Sequence, residues 1–95
     1  MPIPQKLRDE MADDPYYKYC ARASGHCEGR ITWEHAMTYA GKRINEKWAI
    51  IPLCEFHHGL LGSGGMNKSV NVSIALARAN REDLEKYPRA FWAKP

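Results

Sequence analysis

The segment Pro52-Leu53-Cys54-Glu55-Phe56-His57-His58-Gly59 sets two adjacent histidines three and four residues after a cysteine. Thiolate and imidazole are ligands of tetrahedral zinc, and a gap of two residues lets Cys54 and His57 reach one ion from a single turn. Neighbouring side chains point in different directions, so His57 and His58 are not expected to bind the same ion. Cys20 and Cys27 can supply the remaining thiols. Their spacing is wider than the usual gap of about two to four residues, and it asks for a small loop that Ser24-Gly25 can make. Cys20, Cys27, Cys54 and His57 then form one structural Cys3His zinc site, with His26 a rival for any of the four places. His58 is left for another task.

The chain needs such a staple. A domain of 95 residues buries only about two thirds of its unfolded surface, which leaves a small core. Its 44% hydrophobic and 26% charged residues are globular values that argue against wholesale disorder. Three cysteines leave one thiol over in any disulfide framework; near histidines they read as metal ligands in a reducing compartment. No apolar run approaches the roughly 18 residues of a membrane span, and MPIPQKLRDE at the N-terminus lacks a signal-peptide core. The expectation is a cytoplasmic protein with no membrane partner. A net charge of +3 permits nucleic-acid binding without requiring it. Lys42, Arg43 and Lys47, and the C-terminal Arg78, Arg81, Lys86, Arg89 and Lys94, are the basic positions. A solvated basic surface is the plainer reading of them.

The elements that must position these residues belong to a single α+β domain over residues 1–95. Ile3, Leu7 and Met11 recur every four residues and predict a helix over about 4–13, closed by Pro15. Tyr16–Gly29 reads as a loop or knuckle. RITWEHAM (30–37) predicts a strand, residues 38–47 turn around Gly41, and WAIIPLC (48–54) predicts a second strand. The pattern turns helical from Glu55, limited to about two turns by the glycines of GLLGSGG. Helices follow over about 67–88. The first is capped by Asn67 or Ser69, with Val70, Ile74 and Ala77 on one face; the second is opened by an Asn80–Asp83 capping pair. Glu34 and His35 lie next to each other on the first strand, where consecutive residues face opposite sides unless a bulge or strand end intervenes.

The order of these pieces resembles the zinc-stabilised HNH, or His-Me finger, endonucleases. There a cysteine pair is followed by an acidic or histidine residue and a histidine on a strand. A turn then leads to a second strand running into Leu-Cys-x2-(Cys/His)-His. Here the pieces are Cys20 and Cys27, Trp33-Glu34-His35, and Pro52-Leu53-Cys54-Glu55-Phe56-His57-His58. They cover about residues 20–62, and PLC-x2-HH is similar to the phage recombination-nuclease branch. The resemblance implies a zinc-stapled ββα-metal core with flanking short helices. It implies a phage- or prophage-encoded, metal-dependent DNA endonuclease in which His35 is the general base. Glu34 and His58 would hold one catalytic Mg2+ or Mn2+, leaving 5′-phosphate and 3′-hydroxyl ends. DNA is the implied partner, with Lys42, Arg43 and Lys47 as backbone contacts, and a homodimer or a larger protein assembly is compatible with it. The sequence departs from the family in two places. The asparagine that orients the base usually stands about five residues before the cysteine, whereas the nearest here is Asn45. Gly62 occupies the place of a further histidine or asparagine, for which Asn67 is a substitute across the glycine loop. These departures keep open the alternative of an inactive HNH-like zinc domain that binds DNA or a protein.

Overall fold

The computed structural model describes residues 3–22, 27–39, 41–62 and 66–87. An alternating strand, Ile-Thr-Trp-Glu-His, and an apolar one, Ile-Ile-Pro-Leu-Cys, make the central ladder. Strand β1 (Ile31–His35) pairs antiparallel with β4 (Ile50–Cys54), with Trp33 opposite Pro52 and Ile31 opposite Cys54. Pro52 has no N–H to give, yet it costs this ladder nothing. Its carbonyl points to the other edge, where it accepts the Ala21 N–H at 2.8 Å. All five residues of β4 are buried, so this strand is the centre of the molecule. Between the two strands the chain makes a short hairpin, β2 (Thr38–Tyr39) and β3 (Lys42–Arg43), turning at Gly41. The sequence suggested only a turn there. The hairpin is anchored where Ile44 N–H donates to the Met37 carbonyl at 3.1 Å, both side chains being buried.

Helix α1 (Gln5–Ala12) buries Met11 and packs with Ile3, Tyr17 and Ile50 in a small core of its own. A 3-10 turn over Pro15–Lys18 follows, begun by the Asp14 carboxylate accepting the Tyr16 N–H. Helix α2 (Lys68–Arg78) starts at Asn67, whose side chain accepts the Val70 N–H, and α3 (Arg81–Lys86) starts with the anticipated Asn80–Asp83 capping box. The buried face of α2 only partly matches the expected one. Asn71 and Ala75 are enclosed and Ile74 packs against the core, whereas Val70 and Ala77 are exposed and, with Ser69, Ser73 and Ile74, line a shallow outer groove. The Asn71 amide N–H donates to the Met66 sulfur at 3.2 Å, while its side-chain oxygen is buried without a partner.

Over the described residues 55–62, directly after Cys54, no helix forms. His58 N–H reaches the Cys54 carbonyl in one α-type turn, but Gly59 then bonds Phe56 and Leu60 bonds Glu55, so the pattern tightens and widens without repeating. Gly59 ends it at φ +79°, a conformation that costs glycine little and other residues more. The described residues form a small α+β domain with three helices and two small sheets. Among the described residues no helix is long and apolar enough to cross a membrane.

One polar network ties the pieces together. The Tyr17 hydroxyl is shared between the Lys47 and Ile50 carbonyls, and Arg78 donates to that hydroxyl at 2.7 Å while stacking on the Tyr16 ring at 3.9 Å. Arg78 is therefore a tie from α2 to β4 and not part of a free basic surface. Tyr17→Phe should leave these groups short of a partner and destabilise the fold by about 1–2 kcal/mol. The expected readout is a lower urea midpoint with an unchanged slope; an unchanged midpoint would contradict the role given to this network.

Candidate metal centre and adjoining polar site

Four ligand atoms converge at the lower end of β4. The Sγ atoms of Cys20, Cys27 and Cys54 lie 3.4, 3.6 and 3.3 Å from His57 Nδ1, and all four ligand atoms are within 4.8 Å of one another. Zinc bonds of about 2.3 Å to sulfur and about 2.0 Å to nitrogen place tetrahedral S and N ligands about 3.5 Å apart. The group could therefore hold a metal such as zinc. Cys20, Cys54 and His57 are buried while Cys27 is exposed at the rim. Backbone N–H groups of Arg22 and His57 donate to the Cys20 and Cys54 sulfurs, supporting negative charge there.

Local structure explains why ligands so far apart in sequence meet. Both ends of the Cys20–Cys27 segment are hydrogen-bonded to β4 or its exit: Ala21 N–H to Pro52, and Phe56 N–H to the Glu28 carbonyl at 3.1 Å. Glu55 adds a third tie by accepting the Arg30 N–H at 2.8 Å. Gly29 makes this approach feasible. A Cβ there would lie 2.3 Å from Glu55 Oε1 and 2.7 Å from its Cβ, and φ is +83°. His26, the rival ligand, and the Ser24-Gly25 turn lie outside the described residues.

Crowding separates the thiols' acidities. Desolvation and hydrogen bonding to the Cys54 and Cys20 sulfurs push the Cys27 thiol up to about 11. Burial also pushes Cys54 up, but backbone N–H groups and the other two thiols outweigh it and hold Cys54 below the ordinary cysteine value. Three thiolates this close repel one another, and a bound cation is what would let all three ionise together.

His58 faces away from this group. Its Nε2 lies 3.6 Å from Glu34 Oε1, both side chains 21% exposed, while its Nδ1 meets the Thr32 hydroxyl at 2.5 Å. Cis ligands of an octahedral ion with bonds of about 2.1 Å lie about 3.0 Å apart, so a turn of the Glu34 carboxylate would fit the pair to a divalent cation. Glu34 and Thr32 share a face of β1, as residues two apart must. His35, at the strand's end, joins neither the thiol cluster nor the Glu34–His58 pair. Its Nε2 lies 2.6 Å from Asn45 Oδ1, a contact hidden by spacing because the β2–β3 hairpin folds the chain back to bring Asn45 beside β1. Gly62 sits at φ +114°, and Asn67 is occupied as the cap of α2, so it does not replace the expected further ligand.

Of the basic positions, Lys42 and Arg43 are exposed on β3. With Tyr39, Ile44, Asn45 and Tyr87 they line an open cleft of about 370 Å3. Lys47 instead pairs with Asp14 at 2.8 Å. That ammonium, with the Tyr16 N–H, holds the Asp14 carboxyl below its ordinary value. Arg81 is exposed beside Glu85, and Arg89 and Lys94 lie outside the described residues.

The chain purified without chelators should carry one zinc per molecule by elemental analysis. Strong chelation, or Cys54→Ser, should abolish the cooperative thermal transition. Metal-free protein that melts like the native chain would remove the structural role of the cluster. Compared with protein-family models, with curated proteins and with solved structures, the chain matches none.

Proposed function

We infer that the chain is a metal-dependent DNA endonuclease of the HNH type, built on a ββα-metal-like core whose third element is a turn. The observation that carries this reading is the division between the adjacent histidines. His57 Nδ1 faces three thiols, while His58 Nε2 faces the Glu34 carboxylate. A merely structural Cys3His module has no use for the second pair. Zinc would be the ion of the thiol cluster, and Mg2+ or Mn2+ that of Glu34 and His58.

In this reading His35 is the general base. Its Nε2–H donates to Asn45 Oδ1, which fixes the ring and leaves Nδ1 with the lone pair for a proton. Asn45 thus supplies the orienting amide that the resemblance places nearer the cysteine. A water oxygen attacks phosphorus, His35 accepts the water proton, and the P–O3′ bond breaks. The products are a 5′-phosphate and, once the leaving oxygen is protonated, a 3′-hydroxyl. A divalent ion on Glu34 and His58 would supply Lewis-acid stabilisation of the charge on the phosphate and the leaving oxygen. Lys42 and Arg43, at the cleft that contains Asn45, would hold the DNA backbone close to His35. Lys47 is the weakest of the three proposed contacts, because Asp14 already neutralises it.

A second reading is an HNH-like zinc domain that binds DNA or a protein without cutting. It is favoured by Gly62, which offers no further ligand to the Glu34–His58 pair. Cleavage of supercoiled plasmid with Mg2+ or Mn2+ separates the two. His35→Ala should lower the rate by about 10²–10⁴-fold with DNA affinity nearly unchanged, since a general base acts in the transition state. Affinity should fall steeply with salt, and Lys42→Ala should reduce that slope by about one. Equal inertness of both proteins on several DNA forms would leave the binding reading.

A further inference from the structure

His58 is held by a residue that no motif singles out. The Thr32 hydroxyl lies 2.8 Å from the Leu53 carbonyl oxygen, directly across the β1–β4 ladder, and 2.5 Å from His58 Nδ1. A hydroxyl has one proton and two lone pairs, and a carbonyl oxygen can only accept. The proton of Thr32 therefore goes to Leu53, and the hydroxyl offers His58 a lone pair alone. Neutral His58 must then carry its proton on Nδ1, which leaves a bare lone pair on Nε2, 3.6 Å from Glu34 Oε1.

The other tautomer would undo the site. An Nε2–H would donate to the Glu34 carboxylate, and the two groups would satisfy each other and leave no place for a cation. We propose that Thr32 is a positioning residue. By giving its proton to the Leu53 carbonyl and accepting one from His58 Nδ1, it keeps His58 Nε2 and the Glu34 carboxylate as two open ligands for a divalent cation. Alternation along β1 makes this economical, since Thr32 and Glu34 emerge on the same face and engage opposite nitrogens of one ring. The proposal rests on the proposed function only in taking the Glu34–His58 pair as a cation site.

The test uses the full zinc-loaded chain, with long-range proton–nitrogen NMR of the His58 ring before any addition and calorimetric titration with MnCl2. The native chain should show the Nδ1–H tautomer. Thr32→Val, nearly isosteric, should shift the ring toward Nε2–H and weaken Mn2+ binding by about 10–100-fold. Thr32→Ser should restore both, and zinc content should be equal in all three. A native chain with His58 in the Nε2–H form overturns the proposal whether or not the valine variant folds. Equal Mn2+ affinity in all three overturns the role of Thr32 alone. A native chain that takes up no Mn2+ overturns the cation site, and this proposal with it.

Discussion

Three thiolates and an imidazole within ligand distance of one another are costly to assemble unless a cation offsets the thiolate charge, and much of the molecule is arranged around that cluster. It joins the Cys20–Cys27 segment to the end of β4, the most enclosed strand. Among the described residues there are two modest apolar cores, one between α1, the Pro15–Lys18 turn and β4, the other between β4, α2 and the hairpin and including Cys20 and Cys54. A metal contributing on the order of 10 kcal/mol would dominate the stability of so small a domain.

The same placement organises the Glu34–His58 pair. Cys54 ends the strand and His57 turns back onto it, so His58 is carried onto the far side of the turn, over the Thr32–Glu34 face of β1. Adjacent residues in a turn of roughly helical geometry diverge by about 100°, which is enough to serve two groups without strain. The cluster therefore acts at a distance: by fixing His57 it fixes where His58 can reach. His35 is held independently, by Asn45 just after the hairpin whose strand β3 carries Lys42 and Arg43.

Much of this was legible in the residues. The ladder β1–β4 followed from β-branched and aromatic content, the cap of α3 from Asn80 and Asp83, and the thiol cluster from the spacing of Cys54 and His57. Other features depended on tertiary placement. Asn45 stands too far from Cys54 in sequence to be matched by spacing, and only the fold-back of β2–β3 brings it to His35. Thr32 gave no signal, because its role needs a partner across the ladder. Val70, Ile74 and Ala77 do share a face of α2, but only Ile74 packs against the core; periodicity could not show that the polar Asn71 would be enclosed beside Ala75. The helix expected after Glu55 is replaced by turns because Gly59 reverses the chain before a second turn can form.

The division between His57 and His58 is the central claim, and paired alanine variants measured for both zinc retention and plasmid cleavage test it most directly. His57→Ala should lose zinc and melt at a lower temperature. His58→Ala should keep its zinc and its melting temperature, yet lose cleavage or require more Mg2+ or Mn2+. Loss of zinc from His58→Ala, or identical behaviour of the two variants, would contradict the account.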